Sequence, residues 1–250
     1  MPENAAQSAL PIVSSPETGS CWSCGTMRAA HYCQSCGKVQ PAVPVDYFAF
    51  FGLPRKLHLD VSALERDFYA LSRKLHPDLY AQNSEIEQRK WSLEKSSQLN
   101  DAYRTLKDPV ARTEYLLRLQ GVDFEEQSSQ ATDAARASGQ AKKQVVPPDM
   151  LEEVFELNMQ LEELRMNQKM GEQDSDLIGQ LEEQKKSLQE KLATVDQELR
   201  SGWAAWDALV DAGGEASDAG KPAISHLVDV LNRRSYIRNL VRDVNQALES

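Results

Sequence analysis

The tripeptide His76-Pro77-Asp78 lies between two amphipathic patterns and closes the first of them. Reading back from it, four apolar residues recur at helical spacing: Leu64, Phe68, Leu71 and Leu75. Arg66, Arg73 and Lys74 fall outside this stripe, which predicts a helix with one buried and one basic face. Pro77 cannot continue that helix and disfavours the α conformation at the residue before it. The tripeptide is therefore expected in an exposed loop.

A second helical pattern follows the loop, from about Glu85 to Lys107. Its apolar side carries Leu99, Ala102, Tyr103 and Leu106. Two antiparallel helices joined by His-Pro-Asp resemble the J-domain, the module that stimulates ATP hydrolysis by DnaK-type chaperones. The resemblance implies that His76, Pro77 and Asp78 contact the chaperone, together with the basic residues Arg66, Arg73 and Lys74. No nucleophile or orienting group lies near His76 in sequence, so we interpret it as a contact residue and not as a general base.

Three further segments narrow the resemblance to one family. They are Asp46-Tyr-Phe-Ala-Phe-Phe-Gly-Leu-Pro54, Leu99-Asn-Asp-Ala-Tyr-Arg-Thr-Leu106, and the stretch from Asp108-Pro109 through Gly121. Together they resemble HscB, the J-protein of iron-sulfur cluster assembly, over roughly residues 45–122. The resemblance implies that the chain delivers the scaffold protein IscU to the dedicated chaperone HscA. A general DnaK chaperone as partner is the alternative.

The four cysteines lie within sixteen residues, as Cys21-Trp-Ser-Cys24-Gly and Cys33-Gln-Ser-Cys36-Gly. Each pair can form a tight turn around a metal ion, and four thiolates in tetrahedral array favour zinc in a structural role. So short a segment has almost no core, so metal binding would supply most of its folding free energy. Iron, a disulfide, or His31 in place of one thiolate are the alternatives. Some members of the HscB family carry a similar pair of motifs ahead of the J-domain.

Composition sets limits on function. The chain has 250 residues and a net charge of -10, which disfavours nonspecific nucleic-acid binding. The sequence offers no apolar stretch long enough to span a membrane. Residues 1–20 contain no Lys or Arg and fit neither a secretory signal nor a transit peptide, so a cytoplasmic, most simply bacterial, location is expected.

Beyond residue 122 the pattern changes twice. Residues 123–148 are rich in Gln, Ser and Ala and end in two prolines, which predicts a linker. Helical patterns then resume over 149–250, with breaks at Gly171 to Ser175 and at Gly213 to Gly220. Three helices with short connections predict an antiparallel bundle.

The first of these three helices begins Met150-Leu151-Glu-Glu-Val-Phe155-Glu156-Leu. The HscB resemblance implies that Leu151, Phe155 and Tyr236, with the acidic Glu156, bind IscU. Leu151 and Phe155 are four residues apart and can share a helix face. Another client, or only weak self-association through heptad-like leucines, is the alternative for this bundle.

The sequence thus predicts an all-α protein that is a co-chaperone and not an enzyme. The expected order is a disordered tail (1–20), a zinc knuckle (21–40), a J-domain helical hairpin (45–122), a linker (123–148) and a C-terminal three-helix bundle (149–250). A rival interpretation makes the four-cysteine segment the main interaction site, as a zinc-binding adaptor.

Overall fold

The computed structural model describes residues 19–26, 31–81, 85–122, 150–172, 174–214 and 218–249. Within these ranges the regular structure is helical, apart from isolated bridge residues in the four-cysteine segment, among them the antiparallel pair Tyr32 and Val39. The all-α prediction is therefore confirmed. The chain forms two compact units, one up to Tyr115 and the other from Leu116 onward. The predicted linker 123–148 and most of the predicted tail lie outside the described residues.

The first unit begins with the four-cysteine segment and continues into two capped helices. Helix α1 (Tyr47–Phe50) is capped by Asp46, whose carboxylate accepts a hydrogen bond from the Ala49 N–H at 2.9 Å. The other oxygen of this carboxylate lies 2.6 Å from Arg55 Nη2. Helix α2 (Val61–Leu75) starts in the same way at Asp60, because an N-cap carboxylate satisfies a backbone N–H that the helix itself cannot.

Helices α2 and α3 (Ile86–Lys107) form the predicted antiparallel hairpin. Near one end the Tyr103 hydroxyl donates to Glu65 Oε1 at 2.9 Å. At the other end the Ser92 hydroxyl donates to the Leu75 carbonyl at 2.7 Å. Helix α4 (Pro109–Leu119) follows directly on α3.

One group of buried side chains, which we call the loop cluster, lies inside the hairpin at its loop end. It comprises Val39, Phe50, Leu75, Tyr80 and Leu99, all less than a tenth exposed. Phe68 and Leu71 of the predicted apolar stripe pack against it and are partly buried. The stripe on α2 therefore faces the core, as its spacing predicts.

The second unit contains three long helices, α5 (Leu151–Met170), α6 (Ser175–Asp211) and α7 (Gly220–Glu249). Gly171 ends α5 in the left-handed conformation, with φ of 74°, which glycine adopts without steric cost. Asp174 then caps α6 through hydrogen bonds from two backbone N–H groups. Both predicted breaks between helices are confirmed.

The three helices pack as an antiparallel bundle. Along α6 and α7, Arg234 Nε lies 2.6 Å from Asp196 Oδ1, and Gly202 lies so close to Leu227 that an added Cβ would be 2.9 Å from its Cδ2. Helices α5 and α6 are joined by an ion pair between Glu153 and Lys191. The core includes Leu157 of α5, Leu181, Leu188 and Trp206 of α6, and Leu227 and Val244 of α7.

Candidate functional site

The His76-Pro77-Asp78 loop is exposed and has a defined shape. Helix α2 ends at Leu75, and Pro77–Tyr80 form a single 3₁₀ turn. His76 Nδ1 accepts a hydrogen bond from the Asp78 N–H at 3.3 Å and lies 3.6 Å from its carboxylate. The side chains of His76 and Asp78 are 55% and 88% exposed, so both are open to a partner.

Hydrogen bonds to the backbone just before the loop fix its position, and sequence reasoning missed the residues that donate them. The Leu75 carbonyl accepts hydrogen bonds from the hydroxyls of Ser92 and Ser96, at 2.7 and 2.8 Å. On the other side of the tripeptide, the Tyr80 hydroxyl donates to the Lys74 carbonyl at 3.0 Å. The signal available in the sequence was the pair of serines, Ser92 and Ser96, which are four residues apart and so share the inner side of α3. Buried hydroxyls need partners, and the last carbonyls of a helix need donors.

The predicted basic face of α2 is present. The side chains of Arg66, Arg73 and Lys74 are exposed, and none of them pairs with a carboxylate among the described residues. Arg66 and Arg73 are two turns apart on one side of the helix, and Lys74 lies two residues before His76. The three positive charges thus lie on α2, and the loop follows directly at the C-terminal end of the same helix.

The four cysteines come together as a compact cluster. Their Sγ atoms all lie within 4.8 Å of one another, with 3.7 Å between Cys21 and Cys36 and 3.6 Å between Cys24 and Cys33. Four thiolates at about 2.3 Å from a central zinc ion would be roughly 3.8 Å apart. A disulfide requires about 2.05 Å, and all four thiols are free. The donor set and its spacing therefore fit a tetrahedral metal ion.

Each cysteine pair is held by the same turn. The Gly25 N–H donates to the Cys21 carbonyl at 3.0 Å, and the Gly37 N–H donates to the Cys33 carbonyl at 2.9 Å. Both glycines have φ of 72°, which L side chains rarely adopt. A hydrogen bond from the Thr26 hydroxyl lowers the pKa of the Cys33 thiol to about 6, whereas burial and the neighbouring cysteines raise the pKa of the Cys36 thiol to about 11. The four thiols therefore do not all favour the thiolate before a metal ion binds.

His31 is not part of this donor set. Its Nε2 lies 2.8 Å from the Phe50 carbonyl, and burial lowers the pKa of its imidazole to about 4. The alternative in which His31 replaces a thiolate therefore has no support in the geometry. Its ring instead joins the four-cysteine segment to Phe50, the last residue of α1.

The residues predicted to bind a client are not all on one surface. Leu151 and Phe155 on α5 are 55% and 68% exposed, and Glu156 is exposed beside them. Tyr236 on α7 is only 8% exposed, so it packs in the bundle and is not available as the third member of an exposed patch. Sequence reasoning missed three exposed methionines that continue the apolar side of α5: Met159, Met166 and Met170. Their signal was a large apolar residue at steps of four or seven, on the side opposite the buried leucines.

Among the described residues no helix is long and apolar enough to cross a membrane.

Comparison with known proteins agrees with this geometry. The family described as the DnaJ domain matches residues 46–115. The human co-chaperone HscB structure is 21% identical with a TM-score of 0.54, covering 91% of this chain and 97% of that one, and shows the same fold. The chaperone HscB of Vibrio cholerae is 26% identical with a TM-score of 0.53, covering 80% and 96%.

Curated relatives extend the match beyond the hairpin. The iron-sulfur cluster co-chaperone HscB homolog of Arabidopsis thaliana is 31% identical over 173 residues, which is 69% of this chain but 58% of the relative. The chain thus spans little more than half of that protein. The co-chaperone HscB homolog of Azoarcus sp. strain BH72 is 31% identical over 205 residues, covering 82% of this chain and 94% of the relative. Because this match runs through both units and nearly the whole bacterial relative, the chain belongs to the HscB family of J-domain co-chaperones.

Proposed function

We propose that this chain stimulates ATP hydrolysis by a DnaK-type chaperone of the HscA kind and delivers the scaffold protein IscU to it, in the bacterial cytoplasm. The observation that carries the proposal is the exposed His76-Pro77-Asp78 loop at the end of a helix whose basic residues Arg66, Arg73 and Lys74 are exposed. Proteins of this family are co-chaperones, and the relative from Arabidopsis thaliana is named for iron-sulfur clusters. The hydrolytic chemistry belongs to the partner.

The mechanism is differential binding. A chaperone surface that accepts the loop and the basic face only in its ATP-bound, hydrolysis-prone conformation would be driven toward that conformation by docking. A client held by α5 of the same chain is then brought to the chaperone at a raised effective concentration. Opposite charge on the chaperone would speed the encounter and make it sensitive to salt.

The loop is tested by His76→Gln. This change removes the exposed ring and leaves the hairpin core untouched, so we expect stimulation of ATP hydrolysis to be lost and the helical fold to be retained. Single-turnover hydrolysis with the cognate chaperone measures the effect. His226→Gln, at an exposed position on α7, is the matched control and should stimulate fully. Full stimulation by His76→Gln would make the chaperone proposal wrong.

For the client we propose a surface formed by Leu151 and Phe155 with Glu156 beside them. Truncating both exposed side chains to Ala should weaken IscU binding about tenfold or more, because apolar anchors at an interface commonly carry its affinity. Thermal unfolding should barely change, since neither side chain is in the core. Leu93→Ala, which removes an equally exposed leucine from α3, is the control. IscU affinity that stays within about twofold of the parent would refute this surface and favour another client or a role in self-association.

We also propose that the four cysteines hold one structural zinc ion. Support comes from the close packing of four free thiols on two glycine-assisted turns. Such a closed site has no open coordination position, so the metal would stabilise the fold and take no part in a reaction. Elemental analysis of protein expressed with zinc and iron both available should find one zinc per chain. Stoichiometric iron, or a disulfide in freshly purified protein, would contradict the assignment.

A further inference from the structure

The four-cysteine segment is built into the support of the His76-Pro77-Asp78 loop. Val39 comes three residues after Cys36, has no exposed surface, and belongs to the loop cluster. Leu75 of the same cluster immediately precedes His76, and Tyr80 follows two residues after Asp78. Val39 therefore packs in the same buried cluster as Leu75 and Tyr80, the residues that flank the loop on either side.

Val39 is in turn fixed by the cysteine turns. Its backbone pairs with Tyr32, just before Cys33, and the next residue, Gln40, donates its N–H to the His31 carbonyl at 2.9 Å. The Gln40 amide also lies 3.4 Å from Cys21 Sγ. Val39 is thus tied through its neighbours to both cysteine turns.

Trp22 provides a second connection. It lies between the cysteines of the first pair, and its Nε1–H donates to the Val39 carbonyl at 2.9 Å. Its ring packs edge-on against Trp91 at 5.5 Å between centroids. Trp91 packs against the loop cluster and directly precedes Ser92, whose hydroxyl holds the Leu75 carbonyl. Aromatic pairs of this kind add about 0.5 to 1.5 kcal/mol beyond the area they bury.

We propose that Val39 and Trp22 are positioning residues for the His76-Pro77-Asp78 loop, through which the four-cysteine segment, when it holds its metal ion, fixes the loop in its binding shape. This inference rests on the proposed metal site. The segment has too little core to hold its own shape, so loss of the metal would release Val39 and Trp22 and leave a void beside Leu75 and Tyr80. Linkage then requires the reverse effect: a chaperone that binds the ordered loop must tighten metal binding.

The test uses the full chain and three readouts: zinc content, the amide exchange of Leu79 and Ala81 by NMR, and single-turnover stimulation. These two N–H groups donate to the carbonyls of His76 and Asp78, so they report the shape of the loop itself. Val39→Ala leaves all four thiols in place. We expect it to retain one zinc, to exchange these amides about tenfold faster, and to stimulate several-fold less. Removing zinc from the parent with a chelator should have the same effect on the loop, and adding zinc back should reverse it.

Val244→Ala is the matched control, because it removes the same atoms from an equally buried valine in the second unit. It should leave the Leu79 and Ala81 amides unchanged. Trp22→Phe removes the Nε1–H donor but keeps an aromatic ring, and should speed exchange by about threefold, which keeps the idea testable if Val39→Ala does not fold.

The outcomes separate the two proposals. A parent chain that binds zinc, but whose loop amides respond neither to chelation nor to Val39→Ala and Trp22→Phe, keeps the metal site and overturns the positioning role. A parent chain that binds no metal ion at the four thiols overturns both.

Discussion

Replacing Ser92 and Ser96 together should destabilise the first unit by more than the two single changes combined. In a continuing helix the Leu75 carbonyl would accept the N–H of Leu79, but that N–H donates to His76 at 3.0 Å. The carbonyl depends instead on the two serine hydroxyls, in surroundings where Leu75 and Ser92 have no exposed surface. The two serines thus share one acceptor.

The magnitudes follow from that sharing. Ser92→Ala or Ser96→Ala alone removes one hydrogen bond while the other remains, at about 0.5 to 1 kcal/mol each. The double variant leaves a buried carbonyl without a partner, which costs about 3 kcal/mol, or a hundredfold in the folding equilibrium. The excess over the sum, about 1 to 2 kcal/mol, is the coupling between the two serines.

Urea unfolding followed by NMR of methyl groups in the first unit, such as those of Leu99 and Ala102, measures this cost without interference from the second unit. Ser201→Ala is the control. Its exposed hydroxyl donates to the Gln197 carbonyl within α6, so its loss should stay within about 0.5 kcal/mol. A double variant that loses no more than the sum of the singles would show that water or another donor caps Leu75, and the reasoning would fail.

Three further predictions concern other parts of the chain. Gly202→Ala should lose about 1 to 3 kcal/mol of stability, because the new methyl group would lie 2.9 Å from Leu227 Cδ2. Gly179→Ala on the same helix has open space around the new methyl group and should gain up to about 1 kcal/mol. Chemical denaturation measures both changes, and equal changes in the two variants would contradict this prediction. Burial raises the pKa of the Tyr115 phenol to about 12, so the folded state favours the neutral form. The contribution of this raised pKa to the free energy of unfolding is complete below pH 10 and is lost as the pH rises through 12. The free energy of unfolding of Tyr115→Phe, measured by chemical denaturation at several pH values, should therefore fall less between pH 10 and 12 than that of the parent chain. Arg73→Glu should weaken chaperone binding at low salt and much less at high salt, and a loss that does not depend on salt would argue against an electrostatic contact.

Local patterns sufficed where local forces decide the structure. The apolar spacing on α2 and α3 predicted the hairpin, Pro77 predicted the end of α2, and Gly171 predicted the break after α5. The paired Cys-x-x-Cys-Gly motifs predicted the thiol cluster, because the turn geometry is contained within each motif.

Tertiary contacts were beyond the same patterns. Tyr236 was placed on an exposed surface by resemblance, yet it is only 8% exposed in the bundle. The serines beneath Leu75 and the burial of Val39 depend on residues far apart in sequence, which no window of a dozen residues contains. Single-sequence reasoning could locate the loop and the thiol cluster, but not the contacts that join them.

The loop cluster also determines when during synthesis the His76-Pro77-Asp78 loop can take up its finished shape. Its members reach from Val39 to Leu99, about sixty residues apart, so the core beneath the tripeptide is complete only when both ends of that span have been made and brought together. A nascent chain that has emerged only as far as Asp78 already contains every residue of the motif but lacks α3, which supplies Leu99 and both serine hydroxyls. Such a chain would not present the loop in its finished shape. If the loop binds a chaperone as proposed, an unfinished chain would therefore not bind one until the whole first unit has been made.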